Sequence, residues 1–331
     1  MKNSLLVAGI DIGSTYSKAV LIDQSKRVMA RAVRRSGYKP ADAAQAVYAE
    51  LLENAGIDRQ AVNYVAATGY GRYMIPFRHA QITELTCHAL AVSHHFPSVR
   101  TILDIGGQDI KAISIDEHGR VRSFRLNDKC AAGTGAFLEK TARYLGITTA
   151  DIAPYALRAT NPVPVSSVCA VFAESEVINH LAQGAEPENI VAGSIKTLAG
   201  RAVQLMRRVG LEPEYALAGG MTQNQAMVSA LEGVLGAAMH LPPDGLGQLN
   251  GCFGAALLGL RRVEHLLAEG KPLPNPAGER SGATTGGLVS GRRRWSTFVH
   301  IPTTAAEPCS DTGGCPIFVT LATKSKSSRP A

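Results

Sequence analysis

Two cysteines stand in matching surroundings. Cys130 lies in NDKCAAGTGAFLEK, residues 127–140, and Cys169 lies thirty-nine residues on, in SSVCAVFAESEVI, residues 166–178. Residues that cap helices precede each: Asn127 and Asp128 in one case, Ser166 and Ser167 in the other. A helical pattern follows each, and Phe137, Leu138, Thr141 and Leu145 form the first apolar stripe. A thiol in the first turn of a helix sits near the positive end of the helix dipole, where negative charge is favoured. The chain has no CxxC. A 4Fe–4S cluster needs four thiolates, so two copies about a two-fold axis would complete the set, with four helix starts around one anionic cluster. A shared zinc site made of four cysteines and a pair of structural thiols packed as small apolar residues also fit the spacing.

The elements that must position these residues are visible in an internal repeat. DIGSTYSKAVLIDQSKRV, residues 11–28, aligns without a gap on DIGGQDIKAISIDEHGRV, residues 104–121, with nine of eighteen positions identical. Each copy follows an apolar strand and reads as strand, tight loop, strand, turn, strand. Helical patterns follow at 40–55 and 84–96 after the first copy, and at 131–145, 171–183 and 188–209 after the second. Two such halves imply similar α/β domains facing each other across a cleft, residues 1–98 and 99–270, followed by a basic tail, 271–331.

The repeated loops have the chemistry of phosphate sites. Asp11 and Asp104 each end an apolar strand, and the small residues after them let backbone N–H groups approach an anion. Both carboxylates would flank Mg2+, through water, because that ion keeps much of its hydration shell. No GxxxxGK[ST] is present, which excludes a Walker-type site. A late strand-Gly-Gly-helix pattern, YALAGGMTQNQ at 215–225, with a helix expected from near Thr222, would let a flat ligand lie against bare backbone at Gly219 and Gly220. Two loops in register plus this late pair resemble the duplicated actin/hexokinase/heat-shock-chaperone (ASKHA) nucleotide fold over residues 4–269.

A closer resemblance rests on ATGYGR (67–72), ITELTCHA (82–89), DIGGQDIK (104–111), NDKCAAGTGAFLE (127–139), CAVFAESEVI (169–178) and NGCFGAALLG (250–259). These closely resemble the activator ATPases of 2-hydroxyacyl-CoA dehydratases, a family that includes ATPase subunits of benzoyl-CoA reductase. The resemblance covers about 265 residues. It implies that Cys130 and Cys169 hold one 4Fe–4S cluster in a homodimer. It also implies that ATP and Mg2+ drive delivery of one low-potential electron to a separate dehydratase or reductase, with ferredoxin or flavodoxin as donor. By resemblance and loop chemistry together, Gly13, Ser14, Thr15, Gly106 and Gly107 would hold phosphates, and Gly219, Gly220 and Asn224 would border the adenosine. Asp11 would organise the metal, and Asp104 or Gln108 would orient the attacking water. Lys18 is a further phosphate candidate, weakened because its repeat partner Lys111 reads as the cap of a strand edge. Glu174 and Glu176, on the helix after Cys169, read as solvent-facing or as a link between cluster and nucleotide site.

Composition bounds the alternatives. Apolar residues make up 45% and charged residues 18%, the balance of a soluble globular chain, and no apolar run reaches the roughly 18 residues of a membrane span. The start reads as a first strand and the scattered cysteines oppose a disulfide framework, so a cytoplasmic location is expected. Of the net charge of +7, residues 271–331 carry +5, from eight Lys or Arg and three acidic residues. That leaves +2 on the body, too little to suggest nucleic-acid binding; the Arg triplet of the tail reads as solvated, and the tail as disordered. Cys87 and Cys252 read as core thiols, Cys309 and Cys315 as incidental to the tail, and the nine histidines show no HxxxH or HExxH pairing. A sugar or small-acid kinase on the same fold and a non-catalytic iron–sulfur scaffold are the competing functions.

Overall fold

The computed structural model of the chain describes residues 5–127, 134–166 and 170–274. The repeat folds into two five-stranded sheets of one topology. In the first, β1 (Leu6–Ile12), β2 (Tyr16–Asp23) and β3 (Val28–Arg35) form an antiparallel meander. On the other side of β1, β4 (Tyr64–Thr68) and then β5 (Ala80–Gln81) add in parallel. In the second, β6 (Thr101–Ile105), β7 (Ile110–Ile115) and β8 (Val121–Asn127) repeat the meander, while β9 (Tyr215–Gly219) and β10 (Met239–His240) repeat the parallel pair. The strand orders β3-β2-β1-β4-β5 and β8-β7-β6-β9-β10 correspond element for element. This is the duplicated nucleotide fold expected from the repeat. Register is copied too: Asp11 stands opposite Lys18, and Asp104 opposite Lys111.

One face of each sheet is covered by helices of its own half. Helix α1 (Pro40–Ala55) starts with proline in its first turn and ends at Gly56 in the left-handed region (φ 63°). Its Ala44, Val47, Tyr48 and Leu51 pack on Ala8, Ile10, Ile12 and Leu21. On the second sheet α6 (Pro187–Arg207) takes that place. It is flanked by α3 (Gly135–Tyr144), α4 (Ile152–Arg158), α5 (Ala170–Ala182) and α7 (Gln225–Leu235).

The other two helices are exchanged. Helix α2 (Glu84–His95) follows the first sheet in the chain, yet Ala89 and Val92 pack with Ile102, Ile113, Ala216 and Ala218 of the second. Helix α8 (Leu246–Ala268) follows the second sheet and packs on the first so closely that a Cβ on Gly9 would lie 1.9 Å from the Cys252 carbonyl oxygen. The two cross backbone to backbone, since a Cβ on Gly254 would lie 1.9 Å from the Cys87 carbonyl oxygen. Residues 1–98 and 99–270 therefore hold one sheet each but share their last helices. Alternation along the strands turns Gly9 and Asp11 toward α8, and Ile102 and Asp104 toward α2.

Three boundaries differ from the sequence reading. The helix expected from residue 131 begins at Gly135, and Asn127, read as a cap, is the last residue of β8. Tertiary bonds set that start: the Gly135 and Ala136 N–H groups donate to the Gly106 and Gly107 carbonyls (3.1 and 2.8 Å). The helix expected near Thr222 begins at Gln225, after a single tight turn, because the Asn224 side chain caps it there. The short helix α4 was not expected; of its seven residues only Ile152 is buried, too little to make a periodic pattern. The tail from residue 275, with Cys309 and Cys315, lies outside the described residues. Among the described residues no helix is long and apolar enough to cross a membrane.

Candidate functional site

The two strand-end aspartates and their loops form a quasi-symmetric pair. In each loop the first glycine N–H closes a turn onto a carbonyl three residues on: Gly13 to Tyr16 (3.2 Å) and Gly106 to Asp109 (2.9 Å). The first loop is pinned by Ser36, whose N–H donates to the Thr15 carbonyl (3.0 Å) and whose Oγ donates to the Gly13 carbonyl (2.7 Å). The second is pinned by the start of α3. The loops meet: a Cβ on Gly107 would lie 2.2 Å from Thr15 Oγ1. Gly13, Thr15, Gly106 and Gly107 are half-buried, and Ser14 and Gln108 are exposed. Asp11 and Asp104 are buried beneath them. The arrangement presents backbone N–H groups and hydroxyls above two carboxylates, which suits a polyphosphate.

Each aspartate is held by the lysine opposite it. Lys18 Nζ lies 3.1 Å from Asp11 Oδ2. Burial would lower the Lys18 pKa, but the Asp11 carboxylate outweighs it and leaves it raised. Lys111 is no strand-edge cap: β7 is an inner strand, and the side chain is buried between Asp104 (3.2 Å), Asp109 (2.7 Å) and Glu84 (3.0 Å). Burial would depress the ammonium, yet the three carboxylates hold it well above its ordinary value. Burial would raise Asp104, but His88 in its protonated form, Lys111 and Lys18 together hold its carboxyl at about 2. Asp109 goes the other way, because burial pushes its carboxyl up more than Lys111 lowers it. Among the described residues no group of three or more His, Cys, Asp or Glu is placed to hold a metal. A single carboxylate together with phosphate oxygens and water is a donor set that suits Mg2+.

The second glycine pair divides in role. Gly219 (φ 86°) is required by packing, since a Cβ there would lie 2.6 Å from Asp104 Oδ1 and 2.4 Å from the Ile105 carbonyl oxygen. A Cβ on Gly220 would meet nothing within 4 Å, so this is where a flat ligand has room. Asn224 Oδ1 accepts the Met227 N–H (2.9 Å) as the α7 cap, which leaves its amide N–H2 and one lone pair of Oδ1 for a ligand. Gly69 (φ 89°) is the unforeseen counterpart of Gly219, following β4 as Gly219 ends β9. Its Cβ would lie 2.3 Å from Asp11 Oδ1. His88 and Asn250 were also missed. They lie in the ITELTCHA and NGCFGAALLG strings, but a single buried histidine or asparagine has no spacing signature.

A family model described as the BadF/BadG/BcrA/BcrD ATPase family matches residues 8–259. The chain belongs to this family. Its relatives in the family include the (R)-2-hydroxyglutaryl-CoA dehydratase activating ATPase of Acidaminococcus fermentans, 39% identical over 78% of this chain and 99% of that protein. A benzoyl-CoA reductase subunit of Thauera aromatica is 36% identical over 80% of this chain and 97% of that one. A solved activator of the 2-hydroxyisocaproyl-CoA dehydratase from Clostridium difficile, with bound ADPNP, superposes with a TM-score of 0.77 and 36% identity over 82% of this chain and all of that one.

Of the residues that the family resemblance points to, Cys130 and Cys169 lie outside the described residues. The helices that follow them are described and adjoin. Glu174 on α5 accepts from Lys140 Nζ (2.7 Å) and from the Tyr144 hydroxyl (3.3 Å), both on α3. Glu176 accepts the Ser166 N–H, tying α5 to the segment before it. Glu174 and Glu176 thus bind the start of α5 to α3 and to its own approach segment, and neither is simply solvent-facing. Cys87 and Cys252 are buried in the α2–α8 crossing, and burial pushes both thiols up, so they pack as apolar groups.

Proposed function

We propose that this member of the ATPase family is an ATP-dependent one-electron donor that reduces a 2-hydroxyacyl-CoA dehydratase or a related aryl-CoA reductase. The observation that carries the reading is the pair of facing Asp–Gly loops, one of which is bonded through its carbonyls to the helix that follows Cys130. Relatives named as activators of such dehydratases support the partner class. In this reading two copies of the chain share one 4Fe–4S cluster through Cys130 and Cys169, which would supply the transferable electron, received from a ferredoxin or flavodoxin. Phe172 and Ile178 are exposed apolar side chains on α5, and Phe172 lines a groove of about 460 Å3, surface that a second copy could cover.

The chain's own groups divide the work on ATP. The Gly107 N–H and the hydroxyls of Ser14 and Thr15 bind phosphate oxygens, while Gly13 and Gly106, whose N–H groups close their own turns, let the phosphates lie close against bare backbone. Lys18, 3.1 Å from Asp11, neutralises charge at the first loop. Asp11 holds water on Mg2+, Asp104 or Gln108 orients the attacking water, and the adenosine lies along Gly219, Gly220 and Asn224. Anaerobic purification with iron and ATPase assays tests the reading. About four irons per dimer are expected, lost in Cys130→Ser and in Cys169→Ser, with Mg-dependent hydrolysis impaired in Asp11→Asn and Asp104→Asn. Full iron in either cysteine variant, or unmutated hydrolysis rates in both aspartate variants, would overturn it.

A further inference from the structure

We propose that His88, held by Asn250, is the positioning residue that aims the Asp104 carboxylate, so that the crossing of α2 and α8 is built into the hydrolytic site. The inference rests on the ATPase reading above and adds a residue pair to it.

Four observations converge. His88 and Asn250 are 5% and 1% exposed, and each comes from one of the two exchanged helices. Asn250 Nδ2 donates to His88 Nδ1 at 2.9 Å and lies 3.4 Å from the His88 carbonyl oxygen. An amide N–H2 aimed at Nδ1 makes that nitrogen the acceptor, which leaves the proton of the neutral ring on Nε2. His88 Nε2 stands 3.5 Å from Asp104 Oδ2. That is within reach of a hydrogen bond that tightens when a site binds its substrate. Finally, a Cβ on Gly251 would lie 3.1 Å from Asp11 Oδ2 and 3.5 Å from His88 Nε2, so the Asp11 carboxylate and the imidazole both border this glycine of α8.

A purely structural role accounts poorly for this pair. Among the described residues Asn250 Oδ1 is buried with no hydrogen-bond partner, a cost that an apolar pair at the same crossing would avoid. What the polar pair supplies is a directed N–H. With the proton fixed on Nε2, His88 can donate to Asp104 Oδ2, the oxygen that Lys111 also holds, complete the fixing of its rotation and leave Oδ1 to a water. Because donor and anchor sit on different helices, the aim of Asp104 depends on how α2 and α8 cross.

Two substitutions separate positioning from packing. His88→Gln places an amide N–H2 where Nε2 stands and gives up the Asn250 contact. His88→Asn keeps an oxygen for Asn250 and withdraws from Asp104. The measurements are kcat and KM for MgATP and thermal midpoint, on the full chain with its iron. His88→Asn is expected to lower kcat on the order of 10-fold to 100-fold with KM little changed. His88→Gln is expected to restore most of that rate despite its lost anchor. Asn250→Leu, which keeps the ring but frees its tautomer, is an independent arm that holds if His88→Asn does not fold; it too should lower kcat with KM unchanged. Equal rates in His88→Gln and His88→Asn, an unaltered kcat in Asn250→Leu, or losses that merely follow the thermal midpoint would overturn the proposal. Asp104→Asn distinguishes the two levels. If it leaves hydrolysis untouched, the reading of the site fails and takes this proposal with it; if it abolishes hydrolysis while His88→Asn is normal, only the positioning role fails.

Discussion

Lys111 shows how charge is balanced residue by residue at this site. One buried ammonium serves Asp104, Asp109 and Glu84, which come from a strand end, a loop and a helix start. The consequence for stability can be signed. Asp104 is held below its ordinary 3.8, at about 2, so its contribution is full above pH 3.8 and lost as pH falls through about 2. Lys111 is raised above 10.5, so its contribution is full below that value and lost only as pH rises through its folded pKa. A plateau between these arms is expected. In the nucleotide-free protein, unfolding free energy followed from pH 5 to pH 2 should fall more steeply for the parent than for Asp104→Asn. The difference should be roughly 2 kcal/mol, from a shift of nearly two pKa units; parallel curves would refute the pairing. The aspartates and glycines of this site were legible because a repeat displays them twice. His88, Asn250 and the hub role of Lys111 were not, since each is made by a contact between segments far apart in the chain. Gly69 left only a faint mark, a small residue after a short apolar strand.

At the scale of elements, the sequence marked the strands and most of the helices through alternation and periodicity, but not the exchange of α2 and α8. Periodicity says that a helix has an apolar face and is silent about which sheet that face will cover. The signal that does exist is glycine, at Gly9, Gly254 and Gly259, where β1 meets α8, α2 meets α8, and α8 meets β4. A matched pair of substitutions tests the crossing. Gly254→Ala would put a methyl group 1.9 Å from the Cys87 carbonyl oxygen, and neither backbone can yield without parting the helices. Gly200→Ala, inside α6, meets nothing within 4 Å. The first should destabilise by about 3 kcal/mol or more; the second should stabilise by about 0.5–1 kcal/mol through its lower backbone entropy. Chemical denaturation reads both, and an unchanged Gly254→Ala would mean that the helices do not cross at this distance.

For the whole molecule, the two Asp–Gly loops belong to different sheets, while the helices beneath them are shared. A ligand that bridges the loops draws on both sheets at once, and relative movement of the sheets must be taken up at the α2–α8 crossing. Nucleotide can favour one arrangement only by contacting the two differently, and the Thr15–Gly107 approach is the place where such a difference arises. The second loop is tied to α3 by the Gly106 and Gly107 carbonyls, and α3 to α5 through Lys140, Tyr144 and Glu174. A shift of the second loop would therefore reach both helices that follow the proposed cluster cysteines. The expected outcome is that MgATP, compared with no nucleotide, slows amide exchange in residues 12–16 and 105–109 and alters it at the starts of α3 and α5. It should leave the buried strands β1 and β6 unchanged. If the proposed iron-loaded dimer forms, the same addition to it under anaerobic conditions should change the rate at which a chelator removes iron. Glu174→Ala should weaken the chelation response and the exchange change at α5 while keeping the protection of the two loops, because it removes the acceptor of Lys140 and Tyr144 and touches neither loop. Protection confined to the loops, with identical chelation rates with and without MgATP, would show that the nucleotide is bound but its signal stops at the cleft.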